Sequence, residues 1–545
     1  MHFLQNYDPF HSPALSTLAA VLPVGVLMGL IASGKARIHH AALMGLAAAL
    51  AVAIFAFKMP ASSAFASAGY GALFGLLPIG WMILNLIFLY HLTVEKGWFD
   101  SMRASFVRVT PDPRIQLILI AFCFGAFFEG MAGFGTPVAV TSALLMQLGF
   151  KPVESCVLAL IANTAPVAFG SLGIPIVTLE SSTKLPLMDL SMMAGRQLIF
   201  FCAIIPSWII LAYGGWRALR GVWPAAVLAG LVFSVVQFLM SNYHGPLLVD
   251  IVASLVSIAA LLLLLRVWTP KPMTPPAEGG PSAAVPAATA VAKKRAWLPW
   301  IILVAFVFLW SQKGTQTFLN SVYLGKWPIP ALDGVVVRTP PVVPEGSVKP
   351  EDAIYEFKLL STVGTSILLA GIVSGFVMGF SPGRILQVWL KTLYKVRLSL
   401  LTIAAMLALG YVTKYSGTDA TLGLCLAHTG WLYPFFGTLL GWLGVALTGS
   451  DTASNVLFGS LQTITAHQIG VSPTLMASAN SVGGVMGKMV DAQSIVVAST
   501  ATNVFGQESA ILRRVFLHSI VLACLVGIQV LLQAYVWPFT QMVVK

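Results

Sequence analysis

Apolar runs of about 20 residues, each able to cross roughly 30 Å of hydrocarbon, recur along almost the whole chain. Inside a bilayer such a run satisfies its own backbone as a helix. The chain is therefore read as an all-α polytopic membrane protein with roughly 12 to 14 transmembrane segments, some of them interrupted. Of its 545 residues, 57% are hydrophobic and 9% charged, which excludes an ordinary soluble domain. The net charge of +12 does not point to nucleic acid, because the basic residues sit in short loops between apolar runs. Lys35 and Arg37 form one group, Lys96, Arg103, Arg108 and Arg114 a second, Lys293, Lys294 and Arg295 a third, and Arg384, Lys391, Lys395 and Arg397 a fourth. That is the positive-inside pattern of a chain whose partner is membrane lipid. It puts the N-terminus outside, since Met1–Ser12 carries no Lys or Arg. The first run begins near Pro13 without a basic flank and is expected to stay as a span. Cys123, Cys156, Cys202, Cys425 and Cys524 are scattered singly, so no disulfide framework and no metal site is indicated.

The stretch 270–296, rich in Pro, Ala and Gly and ending in Lys-Lys-Arg, reads as a cytoplasmic linker between an N-terminal membrane half, 1–269, and a C-terminal half, 297–545. A second polar stretch, Gln312–Asp352, falls outside by alternation of sides. The halves carry a weak echo. Leu148-Gly149-Phe150-Lys151-Pro152 stands beside Ile469-Gly470-Val471-Ser472-Pro473, and Asn163-Thr164 with Gly170 beside Asn480-Ser481 with Gly487. Two structural repeats would leave such a trace, and inverted repeats would bring broken helices or re-entrant hairpins together near the midplane.

Two stretches put a carboxylate among glycines and small hydroxyl residues at apolar depth: Phe127–Pro137 with Glu129, and Gly449–Gly459 with Asp451. A charge there costs on the order of 3 kcal/mol even on the lenient insertion scale, so such residues face a cavity, a partner or a substrate. Three glycines and a proline within Gly130–Pro137 break any helix, and the freed backbone groups are tolerated at that depth where they line a cavity. Small residues also serve close helix packing, and Glu129 is what favours a site. Asn163 and Thr164 head another interrupted stretch and offer neutral donors for an anion. Ordinary interhelical hydrogen bonds are the alternative for each. Ser450, Ser454 and Asn455 surround Asp451, while Asn480, Lys488 and Gln493 follow in a second glycine-rich stretch. Gly487-Lys488 is not a P-loop, because Val482 and Met489 stand where Gly and Ser or Thr are needed. Lys488 is instead a partner for Asp451, Asp491 or a bound anion, or else a snorkelling surface lysine. His428, beside Lys414 and Asp419, is a candidate proton relay because imidazole titrates near physiological pH. No nucleophile or zinc signature of a hydrolase is present, so an enzyme is not expected.

The stretches FGAFFEGMAGFGTPVAV, NTAPVAFGSLGIP, LAHTG, GWLGVALTGSDTASN and GGVMGKMVDAQSI, in this order, resemble the signature segments of the bacterial L-lactate permease family. The likeness runs from Asn6–Pro9 to Leu532–Val536 and spares the linker. The resemblance implies a proton symporter for L-lactate, glycolate and related 2-hydroxy monocarboxylates in the bacterial inner membrane, without a cofactor. Ser454-Asn455 is also similar to the Ser-Asn-Thr motif of other carboxylate carriers, but Val456 replaces the threonine, so a sodium site is not expected there.

Resemblance and residues converge on one expectation. Asn163, Thr164, Ser454, Asn455 and Asn480, with the amides around Gly135 and Gly449, would receive the lactate carboxylate. Thr136, Ser450 and Gln493 lie in the same stretches, and Lys488 would balance charge. Glu129 or Asp451, costly to bury bare, would carry the proton. An anion channel, or an exchanger of another short organic acid, is the competing class. Stereospecificity, stoichiometry and oligomeric state are not encoded in any motif.

Overall fold

The computed structural model describes residues 2–33, 38–98, 110–131, 133, 135–270, 294–343, 348–427 and 429–544. Most of the linker, the loop residues Lys35, Arg37, Arg103 and Arg108, and His428 lie outside the described residues. Among the described residues, eight helices are long and apolar enough to cross a membrane, or up to ten if each of two bent pairs is one span. Pro152–Ala162 and Val167–Glu180 meet at 66°, and Leu298–Trp310 and Gly314–Val322 at 78°. The second bent pair places a helical arm within the polar stretch read as a loop. Shorter apolar helices, Pro13–Leu27 and Val363–Val377, stand beside them.

Glycine sets how the long helices pair. Leu187–Tyr243 has 57 residues and is interrupted at Gly214 and Gly215. Gly195 lies against Ser241 and Gly230 against the Ala203 backbone, and Ser191 Oγ donates to the Ser241 carbonyl at 2.9 Å. The helix is thus a hairpin whose arms bury each other. Pro382–Ser416 runs antiparallel to 61–95, with Gly71 on the Leu407–Ala408 backbone and Gly75 on Ala404. Arg384 and Glu95 pair at one end at 2.5 Å.

Between these packs a core of short helices. In the first half, Gly125–Met131 stops at a break where Gly133 and Gly135 have φ of +57° and +88°, and Thr136–Gln147 restarts the helix. In the second half, Tyr433–Thr448 stops at Gly449, φ +69°, and Ser450 caps Asp451–Ile469 by accepting from the Ala453 N–H at 3.3 Å. Positive φ is what a residue with no Cβ adopts freely, which is why each break carries glycine. Both restarted helices end in glycine turns, at Gly149 and Gly470, and prolines then open Pro152–Ala162 and Pro473–Gly487. Their packing is reciprocal. Thr136–Gln147 lies on Ala492–Ala501, while Gly170–Thr183 lies on Asp451–Ile469. Pro152–Ala162 lies on Glu508–Tyr535, while Pro473–Gly487 lies on Leu187–Tyr243.

The sequence echo misaligns one pair. Asn163 sits in the break after Pro152–Ala162, whereas Asn480 is inside Pro473–Gly487, whose break begins at Lys488. By place in the fold, Asn163 stands where Lys488 does.

The N-terminal segment is strapped to the polar stretch. Phe3–Leu4 pairs in parallel with Val336–Val337, and Gly325–Pro328 pairs antiparallel with Ile354–Phe357. Gln5 Nε2 donates to the carbonyls of Lys414 and Tyr415, both at 3.0 Å. It thereby fills acceptors that the end of Pro382–Ser416 leaves open.

The tightest helix contact in the second half lies between Tyr433–Thr448 and Pro473–Gly487. A Cβ at Gly441 would stand 2.0 Å from the Asn480 carbonyl oxygen, and one at Gly483 2.0 Å from that of Thr438. Gly441→Ala is expected to lower stability by about 1–3 kcal/mol through overpacking against backbone. Gly29→Ala, where a Cβ meets nothing within 4 Å, is the neutral comparison. Thermal unfolding of the purified variants in detergent checks the difference.

Candidate functional site

Glu129 closes the last turn before the first break and is buried. One carboxylate oxygen, Oε1, rests on glycine: a Cβ at Gly170 would be 2.5 Å from it and one at Gly133 3.3 Å. The other, Oε2, is buried and makes no hydrogen bond among the described residues. Gly170 begins a run in which Ser171, Leu172 and Gly173 all have positive φ, at 48°, 58° and 72°. For Ser171 and Leu172 this is strained backbone, held by the packing around it.

Asp451 opens the helix after the second break. Its Oδ2 accepts from the Ser481 hydroxyl and, at 3.5 Å, from Asn455 Nδ2. Its Oδ1 is buried without a partner among the described residues. Lys488 is buried in the next break, where Nζ donates to the Gly449 carbonyl at 2.6 Å and pairs with Asp491 at 3.1 Å. Asp491 in turn caps Ala492–Ala501, accepting from the Ser494 N–H at 2.7 Å.

Glu129, Asp451 and Lys488 share one cavity. Its lining comprises Glu129, Val167, Gly170, Ser171 and Pro175 from the first half, and Gly449, Ser450, Asp451, Thr452 and Lys488 from the second. The two carboxylates singled out in the sequence therefore face a common chamber. Its volume of about 30 Å³ holds about two water molecules, so a larger guest needs the walls to move.

The remaining sequence candidates stand back from it. Asn455 Nδ2 donates to the Pro175 carbonyl at 3.1 Å, and Asn480 Nδ2 donates to Asn455 Oδ1 at 2.9 Å and Ser454 Oγ at 3.4 Å. Ser454 Oγ donates to the Gly441 carbonyl at 3.2 Å. Asn480 Oδ1 accepts from Gln462 Nε2 at 3.0 Å, and Gln462 Oε1 accepts from the Tyr433 hydroxyl at 2.9 Å. This satisfied network ties four helices together and aims Asp451 rather than facing the chamber. Thr164 Oγ1 is spent on the Ile161 carbonyl at 2.8 Å. Gly135 and Thr136 meet Val497 and Met82, and Gln493 packs on Gly449. Asn163 is buried with both amide atoms unpaired among the described residues, and it lies within reach of Glu129. His428 lies outside the described residues.

Sequence reasoning passed over Ser171, whose place in the lining depends on a backbone turn, and Asp250. Asp250 is the second residue of Val249–Val267, a buried acid at the head of an apolar run. That setting shares with Asp451 the acid at the head of an apolar run but not the glycine break beside it.

Lys488→Met strips a buried carboxylate of its partner, which costs about 3–5 kcal/mol. Lys488→Met combined with Asp491→Asn removes both charges and is expected to recover most of that loss. Thermal unfolding of the two variants in detergent reads the difference, and equal melting of single and double variants contradicts it.

The profile of the L-lactate permease family matches residues 16–537. The chain is 44% identical to the glycolate permease GlcA of Escherichia coli (strain K12), over 99% of each chain. It is 43% identical to the L-lactate permease of the same strain, over 98% of each. It is 42% identical to the L-lactate permease of Bacillus subtilis (strain 168), over 99% of this chain and all of that one. With end-to-end relatives at this identity and helices long enough to span a bilayer, the chain belongs to the L-lactate permease family.

Proposed function

We propose that this protein takes up L-lactate, glycolate and related 2-hydroxy monocarboxylates together with protons across the bacterial plasma membrane, working as a transporter rather than an enzyme. The observation that carries the reading is the chamber itself, walled by both halves and holding Glu129, Asp451 and Lys488. Asp491 is bound to Lys488 behind it. Three carboxyl groups thus stand against one ammonium group. An anion entering such a site adds to an uncompensated negative charge, which a low-dielectric interior penalises heavily. A proton on Glu129 or Asp451 removes that penalty, and anion and proton then favour each other's binding.

Lys488 supplies the attraction for the substrate carboxylate, and Ser450, Ser171 and Thr452 supply hydroxyl donors beside it. The 2-hydroxyl of the substrate needs an acceptor, which the unpaired oxygen of Asp451 offers. Anion and proton enter together, so loading adds no net charge to the chamber and covers a carboxylate that would otherwise stand bare, which lowers the cost of reorienting across the hydrocarbon. Admission of a three-carbon acid requires the walls to part from the narrow geometry seen here. The reciprocal packing of the two halves supports a pair of related repeats as the moving parts.

The basic loops and the strap support one orientation. The N-terminal segment bonds to Val335 and Val337 of the polar stretch, so the two share a side. The opposite end, with Glu95, Arg384 and Lys395, is the basic one. We place the N-terminus outside and the linker 270–296 in the cytoplasm.

Purified protein in liposomes is expected to accumulate labelled L-lactate above its equilibrium level when the outside is made acid, with glycolate competing. A channel cannot do this. Glu129→Gln and Asp451→Asn are each expected to lower acid-driven accumulation at least tenfold. The carboxylate whose replacement leaves accumulation intact is not the proton carrier.

A further inference from the structure

Behind Glu129, away from the chamber, the first half contains a second buried acid that the reading above leaves unused. Asp250 is 1% exposed. Both of its carboxylate oxygens are buried with no hydrogen-bond partner among the described residues. The Val249–Val267 helix presses directly on the Glu129 turn: a Cβ at Gly130 would stand 2.8 Å from Asp250 Cβ. The two carboxyl groups are close enough for their charges to repel.

The surroundings are equally unpaired. Gln237, from the hairpin Leu187–Tyr243, has both side-chain amide atoms buried without partners among the described residues, as does Asn163. Cys202 of the same hairpin lies within electrostatic reach of Asp250 and within reach of Gln237. Cys123, from the Ile118–Phe124 turns, is occupied with Ser257 at 3.5 Å. Lys488 and Asp491 act on Glu129 from the chamber side. Among the described residues no cation faces Asp250 from the hairpin, from Ile118–Met131 or from Gly170–Thr183. Buried polar atoms in folded proteins are nearly always paired, and a group of orphans calls for a functional explanation. Here the orphans gather about two buried acids of like charge whose elements are in direct contact.

We propose that Asp250 and Glu129 hold one transported proton between them, so that the proton leaves or reaches Glu129 on the side away from the substrate chamber. This inference rests on the proton-coupled reading of the chamber. No bond other than O–H is made or broken: the proton moves from one carboxyl oxygen to the other, and the electron pairs stay on oxygen. The geometry thereby separates two paths. The organic anion passes between the halves, and the proton passes into the first half from Glu129 to Asp250, with the amides of Asn163 and Gln237 as polar neighbours that exchange no proton.

The full-length protein in liposomes tests this with Asp250→Asn. Accumulation of labelled L-lactate driven by an acid exterior is expected to fall at least tenfold. Counterflow of labelled against unlabelled L-lactate at equal pH, which needs no net proton movement, is expected to persist at a tenth or more of the unsubstituted rate. Undiminished acid-driven accumulation overturns the proposal. If Asp250→Asn abolishes counterflow as well, Asp250→Glu decides. A displaced pH profile of uptake in that variant supports a proton-holding role, whereas an unchanged profile or loss of all transport assigns Asp250 to structure alone and overturns it. Failure of the unsubstituted protein to accumulate lactate under the same gradient overturns the proton-coupled reading itself, and so is told apart from failure of the Asp250 variants.

Discussion

A helix interrupted inside hydrocarbon must find partners within the protein for every backbone group it releases. The whole arrangement around the chamber depends on how one such group is met. The Gly449 carbonyl, freed where Tyr433–Thr448 ends, is taken by Lys488 Nζ. That same ammonium neutralises Asp491, whose carboxylate in turn caps the helix beginning at Ala492. One buried lysine therefore closes two helix breaks at once. With the Gly449 turn fixed, Ser450 caps the next helix and Asp451 occupies its first turn, facing Glu129 across the chamber.

The two walls of the chamber are built on different terms. In the second half, Tyr433, Gln462, Asn480, Asn455 and Ser454 form a hydrogen-bonded chain with donors matched to acceptors. A fully paired polar network rigidifies its neighbourhood. In the first half, Glu129, Asn163, Asp250 and Gln237 all keep buried atoms unmatched among the described residues, and Ser171 and Leu172 sit on strained backbone. Asp451 is held through Oδ2 by Ser481 and Asn455 with only Oδ1 left unpaired among the described residues, whereas the first wall leaves four polar side chains with unpaired atoms. The halves thus differ in polar pairing even where the order of their helices and breaks corresponds.

How much of this the sequence carried depends on the kind of signal. The membrane class, the helical fold and the breaks at Gly133–Gly135 and Gly449 were legible, because hydropathy and glycine act locally and do not need the fold to be known. Glu129, Asp451 and Lys488 were legible as costly charges at apolar depth, and they do share one chamber. What a sequence cannot report is which polar groups are already spent. Asn455 and Asn480 looked as available to a ligand as Ser450, and only their spatial neighbours reveal that each amide is engaged by another. The echo between the halves failed at Asn163 for a related reason, since Pro152–Ala162 is 11 residues long and Pro473–Gly487 is 15. Matching letters thus fell at different heights of corresponding helices. Asp250 was missed although its setting resembles that of Asp451, because no glycine break draws attention to it.

The contacts at Gly441 and Gly483 bear on how the chamber changes access. Two helices whose peptide planes touch cannot slide past one another without first moving apart, so Tyr433–Thr448 and Pro473–Gly487 behave as a single beam. Asp451 is braced against that beam through Ser481. The seam where the Asp451 helix meets the first half is joined differently, by side chains that a change of rotamer can release: Asn455 Nδ2 donates to the Pro175 carbonyl, Ser182 Oγ to the Asn455 carbonyl and Ser460 Oγ to the Ser182 carbonyl.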